Sequence, residues 1–308
     1  MKSKIFKRLK KELPETRTNV SLKNYTTFRI GGKARYFFLA KTKKDLISAL
    51  KIAKKLKLSF YILGGGSKLL VSDEGFDGLV IKVQSSKFKV QNYEIFVEAG
   101  LSLSRLINIA LNNNLTGLEW AAGIPGTVGG AVRGNAGAWE RSMADIIKEV
   151  EVFNLKNQKI LTFLNKKCEF AYRTSIFKKK KNLVILSSKI NLKKGSKKKS
   201  KSQMKEYLDY RKEHHPLKFP TAGSIFENIY LNKKSKRGKQ KIAAGKIIGE
   251  CGLAGKKIGN VKISEKHSNF IINLGDGKAK DVKKLIKLVK EKVKKKFGIT
   301  LKEELQEL

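Results

Sequence analysis

Between Thr42 and Leu58 the apolar residues Leu46, Ile47, Leu50 and Ala53 fall on one face of a 3.6-residue period. Thr42 with Asp45 three residues on carries the start signal of a capping box, so the segment is predicted as a helix. The same test predicts a short amphipathic helix through Ile5, Phe6, Leu9 and Leu13 that ends before Pro14, and a helix through Leu106, Ile107, Ala110 and Leu111. In DVKKLIKLVKEKVKKKFG the buried stripe is Val282, Leu285, Ile286, Val289 and Val293, with the lysines on the wet face. Other stretches have the short period or block pattern of strands. TTFRIGGKARYFFLA reads as a glycine turn and a strand, SFYILGGGSKLLVSD as strand, glycine loop and strand, and FKVQNYEIFVEAG as a hairpin. GLVIKV, KEVEVFNL, QKILTFL and LVILSSKINL are further strands. KKGSKKKSKSQ has nothing to bury and is predicted as a loop leading to a helix at QMKEYLDYRKEHH, after which Pro216 and Pro220 mark a boundary. These patterns divide the chain into segments 1–83, 84–212 and 213–308, with no internal repeat.

Composition changes this picture in one respect. The 308 residues hold 68 Lys+Arg against 26 Asp+Glu, a formal net charge of +42, which raises the reading of a basic nucleic-acid-binding protein. Lys greatly outnumbers Arg and is spread over many segments, whereas Arg is the better reader of phosphates and bases. The tracts KKGSKKKSKSQ and NKKSKRGKQK contain no aromatic residue for stacking, so any nucleic-acid binding would be nonspecific and salt-dependent. A small anionic substrate gains from the same field. Cys168 and Cys251 lie far apart without CxxC spacing, which points to no disulfide framework and no metal site. The first residues lack the apolar core of a signal peptide and no later run is long enough to cross a membrane, so no membrane insertion and a cytoplasmic location are expected. The oligomeric state is left open.

From Gln91 through Ile147 there is no Lys, and within this window lies AGIPGTVGGAVRGNAGAW. Glycine lets the backbone approach a ligand and present N–H groups to an anion. GGGS at Gly64 to Ser67, between two strand patterns, suits a diphosphate-cradling loop, and the second stretch adds another close-approach surface with Asn135 as a polar reader of ring edges. Taken singly, either stretch reads better as a tight turn. Neither has the form GxGxxG opening a helix, so a Rossmann site is disfavoured.

Seven ordered segments carry a resemblance: NYTTFRIGG, YILGGGSKLLVSDEGFDGLVI, GLEWAAGIPGTVGGAVRGNAGAW, CEFAYRTSIFK, FPTAGSIFEN, GLAGKKIGNVKISEKHSNFIIN and FGITLKEEL. Together, from about Val20 to the C-terminus, they make the chain similar to the UDP-N-acetylenolpyruvoylglucosamine reductase family, in its shorter type without an extra tyrosine-bearing loop. The resemblance implies an α+β fold: a two-subdomain FAD-binding portion of the vanillyl-alcohol oxidase type and a C-terminal α+β substrate-binding domain. It implies noncovalent FAD, NADPH as co-substrate, a UDP-linked substrate, and production of UDP-N-acetylmuramate for peptidoglycan.

Carried over residue by residue, the resemblance makes Gly64, Gly65, Gly66 and Ser67 the diphosphate loop. Ile124, Pro125, Gly126, Gly129, Gly130, Asn135, Ala136 and Gly137 would lie along the cofactor and its flavin. Arg173, Ser224 and Glu304 match catalytic positions, and Arg211, Asn228 and His267 match positions that contact substrate. The chemistry needs such a set, because hydride addition to an enol ether leaves negative charge that a fixed cation stabilises and an O–H protonates. His214 and His215 read as structural or solvated. The chain departs from the family pattern at Lys68, where Asn is usual, at Arg133-Gly134, at Glu227 and Ile229, and in a basic insert at Asn232–Lys241 expected to loop out. Lys68 would either weaken the loop's hydrogen bonding or add a charge near the diphosphate. Another noncovalent FAD oxidoreductase on the same scaffold stays open as an alternative; covalent flavin is disfavoured, because none of the three His lies in the glycine motifs.

Overall fold

The capping box at Thr42 forms: the Asp45 backbone N–H donates to Thr42 Oγ1 at 3.1 Å and the Thr42 N–H to Asp45 Oδ2 at 2.8 Å. These bonds start the helix Lys43–Lys55, which buries Leu46, Ala49, Leu50, Ile52 and Ala53. The computed structural model describes residues 2–231 and 240–308, so the basic insert lies outside the described residues except for Gln240 and Lys241. The chain divides into two units, each made of discontinuous pieces: the chain up to Val20, Ala34–Gly65 and Asp77–Tyr210 in the first, and Ser21–Lys33, Gly66–Phe76 and Arg211–Leu308 in the second.

In the first unit a four-stranded sheet has the order Arg17–Ser21, Lys33–Ala40, Phe76–Val83, Phe60–Leu63, with its last pair parallel. A five-stranded antiparallel sheet has the order Lys159–Leu164, Ile147–Asn154, Leu183–Asn191, Glu94–Glu98, Phe88–Gln91. The hairpin expected of FKVQNYEIFVEAG is its outer pair. One core joins Leu9 and Leu13 of the first helix, Lys2–Glu12 and the turn after it, to Leu50, Leu106, Phe153 and Leu186. Cys168 is buried here and burial pushes its thiol up to about 12, so it is an inert apolar side chain.

Two stretches differ from the sequence expectation. The lysine tract expected to be a loop is helical, within Lys197–His214. Its lysines face water, while Ser200, Met204 and Tyr207, spaced four and three apart, face the core. Ser200 Oγ donates to the buried Glu119 carboxylate. Burial pushes Glu119 up, but bonds from Ser200, Thr116 and Gly117 outweigh it and hold the carboxylate below its ordinary range. Trp139 stacks on Tyr207 at 4.6 Å and meets the edge of Tyr210 at 5.0 Å, tying the same helix to the glycine stretch. That stretch itself contains a short helix, Val128–Gly134, capped by Thr127, whose side chain accepts from the Gly130 N–H at 3.4 Å.

In the second unit an antiparallel sheet has the order Thr221–Ser224, Phe270–Asn273, Val261–Ile263, Lys257–Ile258. The helix Ala279–Phe297 packs on it and buries the five predicted stripe residues Val282, Leu285, Ile286, Val289 and Val293. The separate core of this unit includes Phe28, Ile30 and Leu70 from the two early pieces of chain. Gln306–Glu307 runs parallel to Leu69–Leu70, so the last residues of the sequence lie beside the residues that follow the glycine loop. Among the described residues no helix is long and apolar enough to cross a membrane, and no group of three His, Cys, Asp or Glu could hold a metal ion.

Candidate functional site

The two glycine stretches meet in the first unit. A Cβ on Gly64 would stand 2.7 Å from the Thr127 side-chain Oγ1 and one on Gly65 2.6 Å from the backbone Gly126 Cα, so only glycine permits this close approach. Gly66 opens the next piece of the second unit with φ +64°, and its carbonyl accepts the Thr27 N–H at 3.2 Å. Ser67 ends the loop just ahead of the strand Leu69–Leu70. Beneath Gly64 lies a residue that motif reasoning did not find: the Lys82 ammonium donates to the Gly64 carbonyl. In a trans peptide the C=O and N–H point opposite ways, so this hold turns the Gly65 N–H toward the other face of the loop. Burial pulls the Lys82 ammonium below its ordinary range. A half-buried cation under a glycine loop fits a diphosphate, whose negative charge would offset the cost of sheltering it from water. No motif marks a lone Lys in GLVIKV.

The rest of the glycine stretch mixes packing with approach. The Ile124 N–H donates to Ala121 O at 3.0 Å, Pro125 follows, and Gly126, at φ +133°, accepts the Leu103 N–H at 3.1 Å. Gly129 is required by packing, since a Cβ there would come within 2.8 Å of Ala99 Cβ, while Gly130 sits in the first turn of the capped helix with a new Cβ 3.6 Å from its nearest neighbour. Asn135 ends that helix in the left-handed region, φ 44° and ψ 59°. Its side chain accepts the Ala144 N–H at 2.9 Å and donates to Ala171 O at 3.0 Å, so it braces backbone. The Ala136 N–H returns to Ala131 O at 2.8 Å, and Gly137 has Arg141 O where a Cβ would be.

Through Asn135 the glycine helix reaches the turn that carries Arg173. Ala171 and Thr174 exchange two backbone bonds of 3.1 Å, and Arg173, inside this turn, has φ 55°. The left-handed region costs a side-chain-bearing residue about 1–2 kcal/mol, and such strain gathers at functional positions. The Arg173 guanidinium lies 5.0 Å from the Tyr172 ring centroid, and its carbonyl accepts Lys178 Nζ at 2.9 Å. Ser175 Oγ donates to Arg133 O at 2.7 Å, a second tie to the glycine helix. Arg133 itself is half-buried and interacts with Tyr61: desolvation lowers the guanidinium and raises the phenol, and each partly offsets the shift of the other.

Ser224, Glu304, Asn228, Arg211 and His267 all belong to the second unit. Ser224 ends a strand that carries a bulge after Thr221. The Glu304 N–H donates to Ile225 O at 2.8 Å, which holds this C-terminal residue beside the serine strand. The Lys68 ammonium donates to the Ser224 carbonyl at 2.6 Å and lies 3.3 Å from Glu304 Oε1, so it points to these two residues. Asn228 Oδ1 accepts the Ala244 N–H at 3.1 Å. Burial lowers the Arg211 guanidinium, whose Nε is buried without a hydrogen-bond partner among the described residues.

His267 Nδ1 accepts the Asn269 N–H at 3.2 Å, and burial holds its imidazole below the ordinary range. His215 packs 5.5 Å from the His267 ring and 5.0 Å from the Phe270 ring. Burial first, then the Arg211 guanidinium and His267, pull His215 down from 6.5 to about 4. An unfolded chain therefore takes up a proton between these two values that the folded protein refuses. Stability is full above 6.5 and falls as the pH drops through this window. Thermal melts across it should show Tm declining with acid, and His215→Phe should flatten the decline. An unchanged slope in that variant would assign the loss to other groups.

Residues 34–163 match the model of the FAD binding domain, and residues 215–308 match that of UDP-N-acetylenolpyruvoylglucosamine reductase, C-terminal domain. The wild-type glucose dehydrogenase Phl p 4.0202 shares 15% identity over 62% of this chain and 44% of its own, with a TM-score of 0.50, a likeness of fold alone. The class is thus an α+β protein with an FAD-binding domain and a second, C-terminal domain. A UDP-N-acetylenolpyruvoylglucosamine reductase of Caldanaerobacter subterraneus subsp. tengcongensis is 40% identical over 94% of this chain and 92% of its own. One of Alkaliphilus oremlandii is 36% identical over 99% and 98%. A crystal structure of the Thermus caldophilus enzyme shares 31% identity over 95% of this chain and 98% of that one, with a TM-score of 0.77. The chain belongs to the UDP-N-acetylenolpyruvoylglucosamine reductase family.

Proposed function

We propose that this protein is a cytoplasmic, FAD-dependent enzyme that uses NADPH to reduce UDP-N-acetylenolpyruvoylglucosamine to UDP-N-acetylmuramate in peptidoglycan synthesis. Family membership over nearly the full length of both chains carries this reading. In it, segments 1–83 and 84–212 supply the two cofactor-binding subdomains and 213–308 the substrate-binding domain, to whose unit the early pieces Ser21–Lys33 and Gly66–Phe76 also belong. When bound, FAD supplies the enol ether with a hydride taken from NADPH. The Gly64–Ser67 loop, with Lys82 beneath it, binds the diphosphate. Ile124, Pro125, Gly126, Gly129, Gly130, Ala136 and Gly137 shape the wall along the cofactor, and Asn135 fixes that wall and the Arg173 turn together. Arg173 holds the negative charge that develops on the enolpyruvyl group, Ser224 Oγ donates the proton to the α-carbon, and Glu304 acts on the same group. Arg211, Asn228 and His267 hold the substrate.

The test is the absorption spectrum of the purified protein. A flavin band should appear, bleach with NADPH and return with the enolpyruvyl substrate, and denaturation should release the flavin. Protein that stays colourless after reconstitution with FAD overturns the reading, and flavin that stays bonded to the unfolded chain overturns noncovalent binding.

The half-buried Lys82 ammonium gives a second expectation. Lys82→Met should weaken FAD about tenfold to a hundredfold, the worth of a hydrogen bond to a charged group, and reduce the salt dependence of binding. Titration of the apoprotein by flavin fluorescence measures both. Unchanged affinity would reduce Lys82 to a brace of the loop.

A further inference from the structure

Lys68 joins three segments of the second unit. Its ammonium takes the Ser224 carbonyl at 2.6 Å and faces Glu304 Oε1 at 3.3 Å, while its own backbone carbonyl accepts the Gln306 N–H at 2.9 Å. Gly223 gives the stem its path: it has φ +73°, and a Cβ there would already stand 3.4 Å from the Lys68 ammonium. The Glu304 side chain is only 15% exposed and that of Lys68 36%, so the pair is partly sheltered from water.

This placement has two physical effects. A charge-assisted bond from one ammonium to a carbonyl and a carboxylate ties the strand end bearing Ser224 to the segment bearing Glu304. The cation also offsets the charge of a carboxylate that would otherwise oppose negative charge building on the substrate. We propose that Lys68 is a positioning residue for the protonation step: it holds the Ser224 peptide and the Glu304 carboxylate in one arrangement and balances that carboxylate while the substrate becomes anionic. The inference rests on the roles given above to Ser224 and Glu304.

The test follows each half-reaction of the FAD-loaded protein by stopped flow. Lys68→Gln, which removes the charge and shortens the side chain by one atom, should leave FAD content and reduction by NADPH unchanged and slow reoxidation by the enolpyruvyl substrate about tenfold to a hundredfold, the scale of an ångström's misplacement. The solvent deuterium isotope effect on reoxidation should rise, because proton delivery becomes the slower event, and Lys68→Arg should recover most of the rate. In a Glu304→Gln background the same change should cost less than in the parent. Should Lys68→Gln fail to hold FAD, the shorter neutral amide of Lys68→Asn takes its place with the same expected outcomes. Parent-rate reoxidation in the neutral variant, or an equal fall in both half-reactions, overturns the proposal. Ser224→Ala and Glu304→Gln run alongside. Parent rates in those two sink the reading of the site and Lys68 with it, whereas slow reoxidation in those two and parent behaviour in Lys68→Gln sinks Lys68 alone.

Discussion

Ser224→Ala should leave reduction by NADPH fast while slowing product formation by about a hundredfold to ten-thousandfold, the range of a single general acid. The two half-reactions separate because hydride transfer needs no hydroxyl at Ser224, whereas completing the product needs a proton on the α-carbon. A serine hydroxyl is a poor acid, so its surroundings matter. Its peptide carbonyl takes an ammonium, and the next residue's carbonyl takes the Glu304 N–H. The Ala variant keeps all these backbone bonds, so FAD binding and Tm should match the parent. Ser224→Cys retains a donor of similar size and lower pKa and should keep measurable turnover. Stopped-flow absorbance of each half-reaction decides the matter. Reoxidation and product formation at the parent rate in Ser224→Ala would place the proton donor elsewhere.

Arg173→Lys should cost about a hundredfold to a thousandfold in reoxidation by the enolpyruvyl substrate, on the scale of removing a preorganised donor from a developing oxyanion, with reduction by NADPH nearly intact. A lysine keeps the charge but lacks the planar fork that grips a carboxylate or enolate with two parallel bonds. The guanidinium is also aimed by its contact with Tyr172 and by a left-handed backbone that Asn135 and Ser175 brace from the glycine helix. Arg173→Gly separates activity from strain: it relieves a backbone cost of about 1–2 kcal/mol, so Tm should hold or rise while turnover collapses. Equal loss of both half-reactions in Arg173→Lys, with a lower Tm, would make Arg173 a structural residue.

Helices that announce themselves by a cap and a wide apolar stripe were legible in the sequence. Thr42 and Asp45 begin theirs as the capping rule requires, and the Val282–Val293 stripe is buried as its spacing requires. Strands with alternating or apolar blocks, including the outer hairpin of the five-stranded sheet, were legible for the same reason. The helix Lys197–His214 was legible only from Gln203; its first turns in the lysine tract were not, because their buried face begins with Ser200, which counts as apolar in no scale and whose partner Glu119 lies far off in sequence. The helix Val128–Gly134 was hidden by glycines that local propensity penalises, of which packing against Ala99 demands Gly129. At the site, motif order marked Arg173, Ser224 and Glu304, yet a motif carries no direction. Lys68 drew notice only as an unusual residue, and its reach to Ser224 and Glu304 depends on a glycine path and on the last strand of the chain. Lys82 had no signal at all, since its meaning comes from the carbonyl above it.

The discontinuous make-up of the second unit bears on how the protein can be made and cut. Its core needs Phe28, Ile30 and Leu70, which the ribosome delivers long before Val261, Leu285 or Leu301. During synthesis those early side chains must wait, so this unit closes only when the C-terminal portion has emerged, and its folding pays for long loops. An excised fragment spanning residues 215–308, the stretch that matches the C-terminal family model, would begin life with holes where three large side chains belong. Large-to-small losses in a core cost about 2–5 kcal/mol each, against a total stability of about 5–15 kcal/mol for a whole domain. Such a fragment should be soluble only as a loosely ordered chain, and inhibitor screens or labelling schemes that depend on an isolated substrate domain would be working with a different object from the enzyme.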